Sequence, residues 1–491
     1  MGAYSVPEEI RKLKPQGTMV KRIGKDRFYV YEYSTSKIRV NNPDGTTRWK
    51  TKTVMGRCIG TITTENGYVP NETQINNDSF TVKNYGNYAF VVANAQYTYG
   101  LLKETFNLID AMQIFTVASI FFVEGFTYMK NVKGIYDLSY LSSCFPDVNV
   151  GYKALHTLYK NLGSKQTRPK GFEQMIIEKS SGRVAIDGHV IACTSEMNDL
   201  SEFGYKAAKL GTEQINWLTA YDVVSKEPLL SQIYSGADPD KVSVKALFER
   251  YHFTNTEFLV DRGFNTKVDK ELMSQDGNTY IVPMISSRKD YKYVLGNLHF
   301  DKRRYFVYNK NSYASMIYYQ EFTAGSVRYF AYQDTTRESA ERQEYIKAMD
   351  AGKSGYSESG LLKNEPYFGL FLIETNDKKN SPEVIFCHYK ERWTIETYYN
   401  YIRNDVDFNA LYQQDYFCTQ GLSFLVTITG MIYHDIKVVA DKAQLKVKDI
   451  MNETKKLKMV QEGNKWFVRN NTKSVREICE KINFTIPTYI L

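Results

Sequence analysis

Three acidic residues stand at places where a fold could hold them rigidly. Asp187 follows the apolar run 184–186 in VAIDGH, Asp261 ends FLVD in FLVDRGF, and Glu396 lies within YKERWTIETYYNYIR. Carboxylate oxygens suit hard divalent cations such as Mg²⁺, and two such ions about 3.5–4 Å apart can activate a nucleophile while stabilising a leaving oxygen. That is phosphodiester chemistry. Taken singly, an Asp after a strand is often a turn residue and a Glu on a helix often faces water, so the three acids point to chemistry only together. The segment around Glu396 adds weight. Tyr389, Arg392, Glu396 and Arg403 fall at offsets 0, 3, 7 and 14, which on a continuous helix of ~3.6 residues per turn share one face. An acid between two arginines suits a phosphate-facing surface, because Arg can fork onto phosphate oxygens while Glu holds a metal.

The elements that must position these acids read as α/β. VAI at 184–186 is a short strand ending in Asp187, and HVIACT, INWLTAYDVV and EPLLSQIYSG are further strands up to residue 236. An amphipathic helix at 240–252 precedes the buried strand EFLV at 257–260, which delivers Asp261; the helix TKVDKELMSQDG and the strand YIVPMI follow. Open α/β sheets place their sites at the carboxyl ends of strands. Residues 297–333 are dense in Tyr, Phe and Val with period-2 character and read as an inserted β subdomain. A charged helix at 335–350 and a Gly/Ser/Lys linker at 351–360 lead back to a strand at 369–375 and the helix that carries Tyr389. His189, Arg262 and the adjacent Cys387 and His388 are weaker candidates. Adjacent Cys and His have poor geometry for joint metal binding, and a packed strand end is the reading adopted for them.

The flanks differ from this centre. Residues 1–60 hold 13 Lys or Arg against 5 Asp or Glu, which equals the whole formal excess of +8 in 491 residues. Alternation at 18–63, with PDG at 43–45 as a turn, predicts basic strands. A concentrated basic segment neutralises phosphates, so nucleic acid is the first partner to consider, with a solvated arm as the alternative. Residues 86–163 show helical spacing, and beyond Asp441 the chain is Lys-rich and reads as helical. The six cysteines are scattered with no C-x-x-C pair, which argues against a disulfide framework or zinc ribbon. The first residues lack an apolar signal core, and polar residues interrupt the apolar stretch 111–129, so a cytoplasmic protein with no membrane span is expected. No Walker-type loop is present, and no nucleotide cofactor is expected.

Tyr389-x2-Arg392-x3-Glu396-x6-Arg403 resembles the Y-R-E-K signature of a group of insertion-sequence DDE transposases. The D-G-H and D-R-G-F contexts of Asp187 and Asp261 resemble that group too, as does a β-rich insertion between the second Asp and the Glu. The last signature position holds Arg403 where the group has Lys, which keeps the charge and changes the donor geometry. The resemblance implies a ribonuclease-H-like catalytic domain in which Asp187, Asp261 and Glu396 bind two Mg²⁺ ions, with Mn²⁺ as a substitute. It implies that Tyr389, Arg392 and Arg403 contact phosphates of the transposon end. Relatives that cut through a hairpin hold a flipped base on an aromatic of the insertion; 297–333 contains no Trp, and no residue is mapped to that role.

The expected organisation is α/β. It comprises a basic β-rich DNA-binding region at 1–85, a helical segment at 86–170, a catalytic domain at 171–296 and 368–440 interrupted by a β-rich insertion at 297–367, and a basic helical C-terminal region at 441–491. The expected activity is binding of terminal inverted repeats followed by strand cleavage and strand transfer into target DNA. The partners would be double-stranded DNA and a second copy of the chain on paired ends, in a nucleoid-associated prokaryotic protein. A nuclease using the same acids without strand transfer, and a domesticated DNA-binding protein that does not cut, are the alternatives.

Overall fold

Period-2 alternation near the N-terminus produces a small antiparallel sheet. The computed structural model describes residues 5–23, 26–41, 47–70, 81–193, 195, 198, 200–203, 212–238, 240–310, 313–408, 410–411, 413–463 and 465–490. It divides into two compact units, Met1–Thr81 and Val82–Leu491. In the first, β1 (Thr18–Arg22), β2 (Phe28–Asn41), β3 (Thr47–Thr63) and β4 (Gly67–Pro70) pair in sequence order. Ile10, Phe28, Val30, Ile59 and Ile62 form its core. The expected turn at 43–45 lies outside the described residues.

The second unit is built on one large sheet. Its strands are β6 (Arg183–Cys193), β7 (Gln214–Asp222), β8 (Glu227–Ser235), β9 (Glu257–Val260), β10 (Thr279–Pro283), β11 (Tyr305–Lys310), β12 (Tyr313–Ala324), β13 (Val327–Asp334) and β14 (Leu370–Thr375), joined at β6 by the short β15 (Ala410–Leu411). The order is β11-β12-β13-β14-β10-β9-β6-β7-β8. β9 runs parallel to β6 and β10, while β6, β7 and β8 form an antiparallel meander.

Two expectations are corrected here. VAI and HVIACT form a single 11-residue strand, so Asp187 sits within β6 and not at a strand end. Asp187 and Gly188 interrupt the apolar run but keep pairing across to β7, with Asp187 opposite Thr219 and Gly188 opposite Leu218. The aromatic stretch 297–333 is not a separate β subdomain, because β13 pairs with β14 over six residue pairs and β14 pairs with β10. Phe306, Ile317, Phe330 and Tyr332 belong to the same buried cluster as the strands that carry the aspartates.

Helices cover this sheet and share its core, among them α1 (Leu108–Glu124), α2 (Tyr152–Ser164), α3 (Pro382–Glu391), α4 (Thr394–Asn404) and α5 (Tyr416–Lys442). α5 is the one described single helix long and apolar enough to cross a membrane, yet most of it is buried among the other elements. Its polar side chains find partners: Ser423 Oγ donates to the Ser231 carbonyl at 2.8 Å, and Gln420 Nε2 donates to that of Ile233 at 2.9 Å. Thr427 and Thr429 bond back to the carbonyls one turn earlier.

α2 and α5 meet at two glycines, where a Cβ on Gly163 would overlap the Phe417 carbonyl and one on Gly421 the Tyr159 carbonyl. Backbone atoms cannot rotate aside as a side chain can. Gly421→Val is therefore expected to destabilise the chain by ~3 kcal/mol or more, read as a lowered denaturant midpoint or as insoluble protein, whereas Gly171→Ala, in a helix interior with open space around it, should raise the midpoint, with a gain in stability of up to ~1 kcal/mol.

The C-terminal region is likewise not purely helical. β16 (Lys458–Glu462), β17 (Lys465–Arg469) and β18 (Tyr489–Ile490) form a sheet with β5 (Val82–Asn84), flanked by helices Val447–Thr454 and Lys473–Lys481. Alternation in KMVQE and KWFVR buries Met459 and Val468 against Tyr85 and Val475, and the surrounding lysines conceal it in composition.

Candidate active site

Parallel pairing of β6 and β9 brings the two aspartates side by side. Arg183 pairs with Glu257 and Ile186 with Val260, so the next residue of each strand is an aspartate, on backbones that lie ~4.8 Å apart while the pairing lasts. Asp187 Oδ1 accepts the Gly188 N–H at 3.0 Å. Asp261 caps the turn Arg262–Phe264 by accepting the Arg262 N–H at 2.7 Å. Glu396 lies in the first turn of α4, where unpaired N–H groups favour an anion. Electrostatics tie the three together. Burial pushes the Asp187 carboxyl up to about 6; Arg392 and the Gly188 N–H oppose that, and the neighbouring Glu396 and Asp261 add to it.

The helix expected to carry all four signature residues is broken. α3 ends at Glu391 and α4 begins at Thr394, with Arg392 and Trp393 as the caps between them. The Arg392 N–H bonds to the Tyr389 carbonyl and the Ile395 N–H to the Arg392 carbonyl, both three residues back. This tighter winding shifts the phase assumed for one continuous helix, so the offsets do not define one face. Tyr389 is buried against Phe371 of β14, ring centroids 5.1 Å apart, and burial pushes its hydroxyl up to about 12. Arg392, only 8% exposed, places Nη1 at 3.8 Å from Asp187 Oδ2 and lies against the rings of Tyr389 and Trp393. Its buried Nε meets no acceptor among the described residues. Arg403 is exposed in the last turn of α4 and donates to Asn400 Oδ1 at 2.6 Å.

The oxygen-only donor set fits a hard divalent cation, and the Asp187 carboxyl, raised first by burial and then by Glu396 and Asp261, is a group whose charged form a cation would favour. Among the described residues, however, no three His, Cys, Asp or Glu side chains are gathered closely enough to hold one ion together. Asp187 and Asp261 each spend an oxygen on the next backbone N–H, and Arg392 approaches Asp187.

Several residues with a part in this site were not read from the sequence. Tyr399 donates its hydroxyl to the Asp187 carbonyl at 2.7 Å and stacks on His189 at 5.1 Å. Its position three residues after Glu396 was the available signal. Trp393, 62% exposed, sits between Arg392 and Glu396 in sequence, with the Arg392 guanidinium over its ring. Arg262, already a weaker candidate from the sequence, is exposed beside Asp261.

The remaining addition lies at the opposite ends of the same strands. Arg183 Nε reaches Glu257 at 2.9 Å and its Nη1 reaches Glu391 at 2.7 Å, while His388 Nδ1 lies 2.7 Å from Glu257. Cys387 and His388 thus belong to helix α3 and not to a strand end. This network ties β6, β9 and α3 together four residues before each aspartate. Glu257→Ala leaves Arg183 and His388 without their shared acid and is expected to lower stability by ~3 kcal/mol. A lowered midpoint in a denaturant titration would read this loss.

Residues 178–412 match the model of the transposase DDE domain family. The match spans a little under half of the chain, and contains all three carboxylates and strands β11 to β14. It supports a DDE transposase, an enzyme acting on DNA. The chain matches no curated protein.

Proposed function

We propose that this chain is a DDE transposase of the Y-R-E-K type that binds the terminal inverted repeats of an insertion sequence and catalyses metal-dependent strand cleavage and strand transfer. The observation that carries this reading is the β6–β9 register, which makes Asp187 and Asp261 neighbours in charge contact with Glu396 inside the family-matched span. Asp187, Asp261 and Glu396 would hold Mg²⁺ or Mn²⁺. Bound divalent ions supply a nucleophile at neutral pH and stabilisation of the leaving oxygen. The exposed Arg403, Arg262 and Trp393 would hold and orient the DNA strand, and Tyr389 and Tyr399 would fix Arg392 and β6 behind the carboxylates. From the family resemblance, a dimer on paired DNA ends is part of this proposal.

The test is cleavage of a duplex carrying the inverted repeat that flanks the gene, with Mg²⁺ or EDTA. Metal-dependent cutting at the repeat boundary with a joined 3′ end supports the proposal. Cutting without joining makes the protein a nuclease, and repeat-specific binding without cutting makes it a binder.

The raised Asp187 carboxyl gives a pH signature. The folded protein holds a proton there up to about 6, above the ordinary 3.8, so without metal this group's contribution to stability falls as pH climbs from 3.8 to 6. Metal competes with that proton. Stabilisation by Mg²⁺ in thermal melts is expected to be small at pH 5 and complete by about pH 7.5, and Asp187→Asn should remove the pH dependence.

A further inference from the structure

Beyond Tyr31 and before Cys58, β2 and β3 leave the core of their unit and continue as a two-stranded ribbon. Residues 32–39 and 47–57 are exposed on both strands, so both faces of the ribbon meet solvent. Pairing is regular from Tyr33 opposite Met55 to Asn41 opposite Thr47. The ribbon, 32–41 with 47–57, contains Lys37, Arg39, Arg48, Lys50, Lys52 and Arg57 against one acid, Glu32, at its base. A ribbon of this kind has little stability of its own in water, and this one leaves Trp49 68% exposed.

The register sorts these cations by face. Arg48, Lys50 and Lys52 lie opposite Val40, Ile38 and Ser36 on one face, while Lys37 and Arg39 lie opposite Thr51 and Trp49 on the other. The first face has three cations in a row along β3 with short side chains across from them. At ~3.3 Å per residue the free ribbon is roughly 30 Å long, close to the ~34 Å of one turn of B-DNA. The B-form major groove, ~12 Å wide, admits a two-stranded ribbon. The major groove of A-form RNA is too narrow to be entered.

We propose that this ribbon lies along the major groove of duplex DNA with the Arg48, Lys50 and Lys52 face turned inward, a mode of DNA engagement that rests on the transposase reading above for its choice of partner. Each phosphate neutralised steepens the salt dependence of log K by ~0.9, so three cations account for a slope change of about 3.

The test uses the full chain and a labelled duplex carrying the flanking inverted repeat, titrated over a salt series, with duplex RNA of equal length as competitor. The triple variant Arg48→Ala, Lys50→Ala, Lys52→Ala is expected to bind at least 30-fold more weakly at 150 mM salt and to flatten the slope by about 3. Lys37→Ala with Arg39→Ala on the other face should cost only a few-fold. If the triple variant fails to fold, as read by circular dichroism, Lys50→Glu serves in its place with at least a tenfold loss. Wild-type affinity and slope in the triple variant overturn the proposal, as does RNA competing as well as DNA. If the wild type cuts with Mg²⁺ and the triple variant binds normally, the ribbon proposal fails alone. Weakened binding in a protein that never cuts leaves the ribbon standing and removes the transposase.

Discussion

Asp261→Ala is expected to reduce metal-dependent cleavage by at least 10³-fold while leaving affinity for the same duplex within about threefold, because it removes a cation ligand and no phosphate contact. Asp261 is the most informative of the three acids to change. Its side chain is exposed and, among the described residues, its hydrogen bond is to the Arg262 N–H, so truncation strips no buried group of a hydrogen bond and folding is kept. Asp187 is held among Arg392, Glu396 and the Gly188 N–H, so Asn is the better replacement there. Single-turnover cleavage and filter binding on one preparation separate the two effects. Normal cutting by Asp261→Ala would remove the assignment of the site.

The second large effect is expected at Arg392. The sequence placed this residue on a phosphate-facing stripe, whereas the structure buries it against Asp187 and Tyr389. Its charge opposes the burial and the neighbouring acids that raise the Asp187 carboxyl to about 6. Arg392→Ala should therefore raise that carboxyl further and make metal binding at neutral pH depend on losing a proton. Cleavage at pH 7 is expected to drop by roughly 10²-fold or more, to recover partly at pH 8.5, and to be intermediate in Arg392→Lys, which keeps the charge and loses the planar fork. DNA affinity should change less than tenfold. A loss of affinity with an unshifted pH profile would instead assign the guanidinium to DNA.

The strand leading to Asp261 was legible because a short apolar run too short for a helix and bounded by turn signals reads as a buried strand, whereas β6 was read as two strands parted at Asp187. FLVD at 258–261 is the clear case, and the helices Asp240–Arg250 and Lys267–Leu272 follow their amphipathic spacing. What periodicity cannot give is partnership. The alternation of β11 to β13 is the same whether those strands close on themselves or extend a neighbouring sheet, and only β14 decides it. The break between α3 and α4 was hidden for a similar reason: Arg392 and Trp393 are ordinary helix residues, and no Gly or Pro marks the tighter turn. The network of Arg183, Glu257, His388 and Glu391 joins residues up to 208 apart in sequence through a register that one sequence does not state.

Continuity of the sheet constrains how this protein can vary. Because β13 is hydrogen-bonded to β14, and Phe306 and Tyr332 pack on Phe386 of α3 at 5.4 and 5.0 Å, strands β11 to β14 are expected to melt and exchange their amide protons together with the strands that bear the acids. Such a segment cannot be shed or swapped as a cassette. Tolerated changes in length fall at hairpin tips such as Gly325, whose φ of +63° turns β12 into β13, and a lesion in β13 should reach the carboxylates as a loss of local order three and four strands away, at β9 and β6.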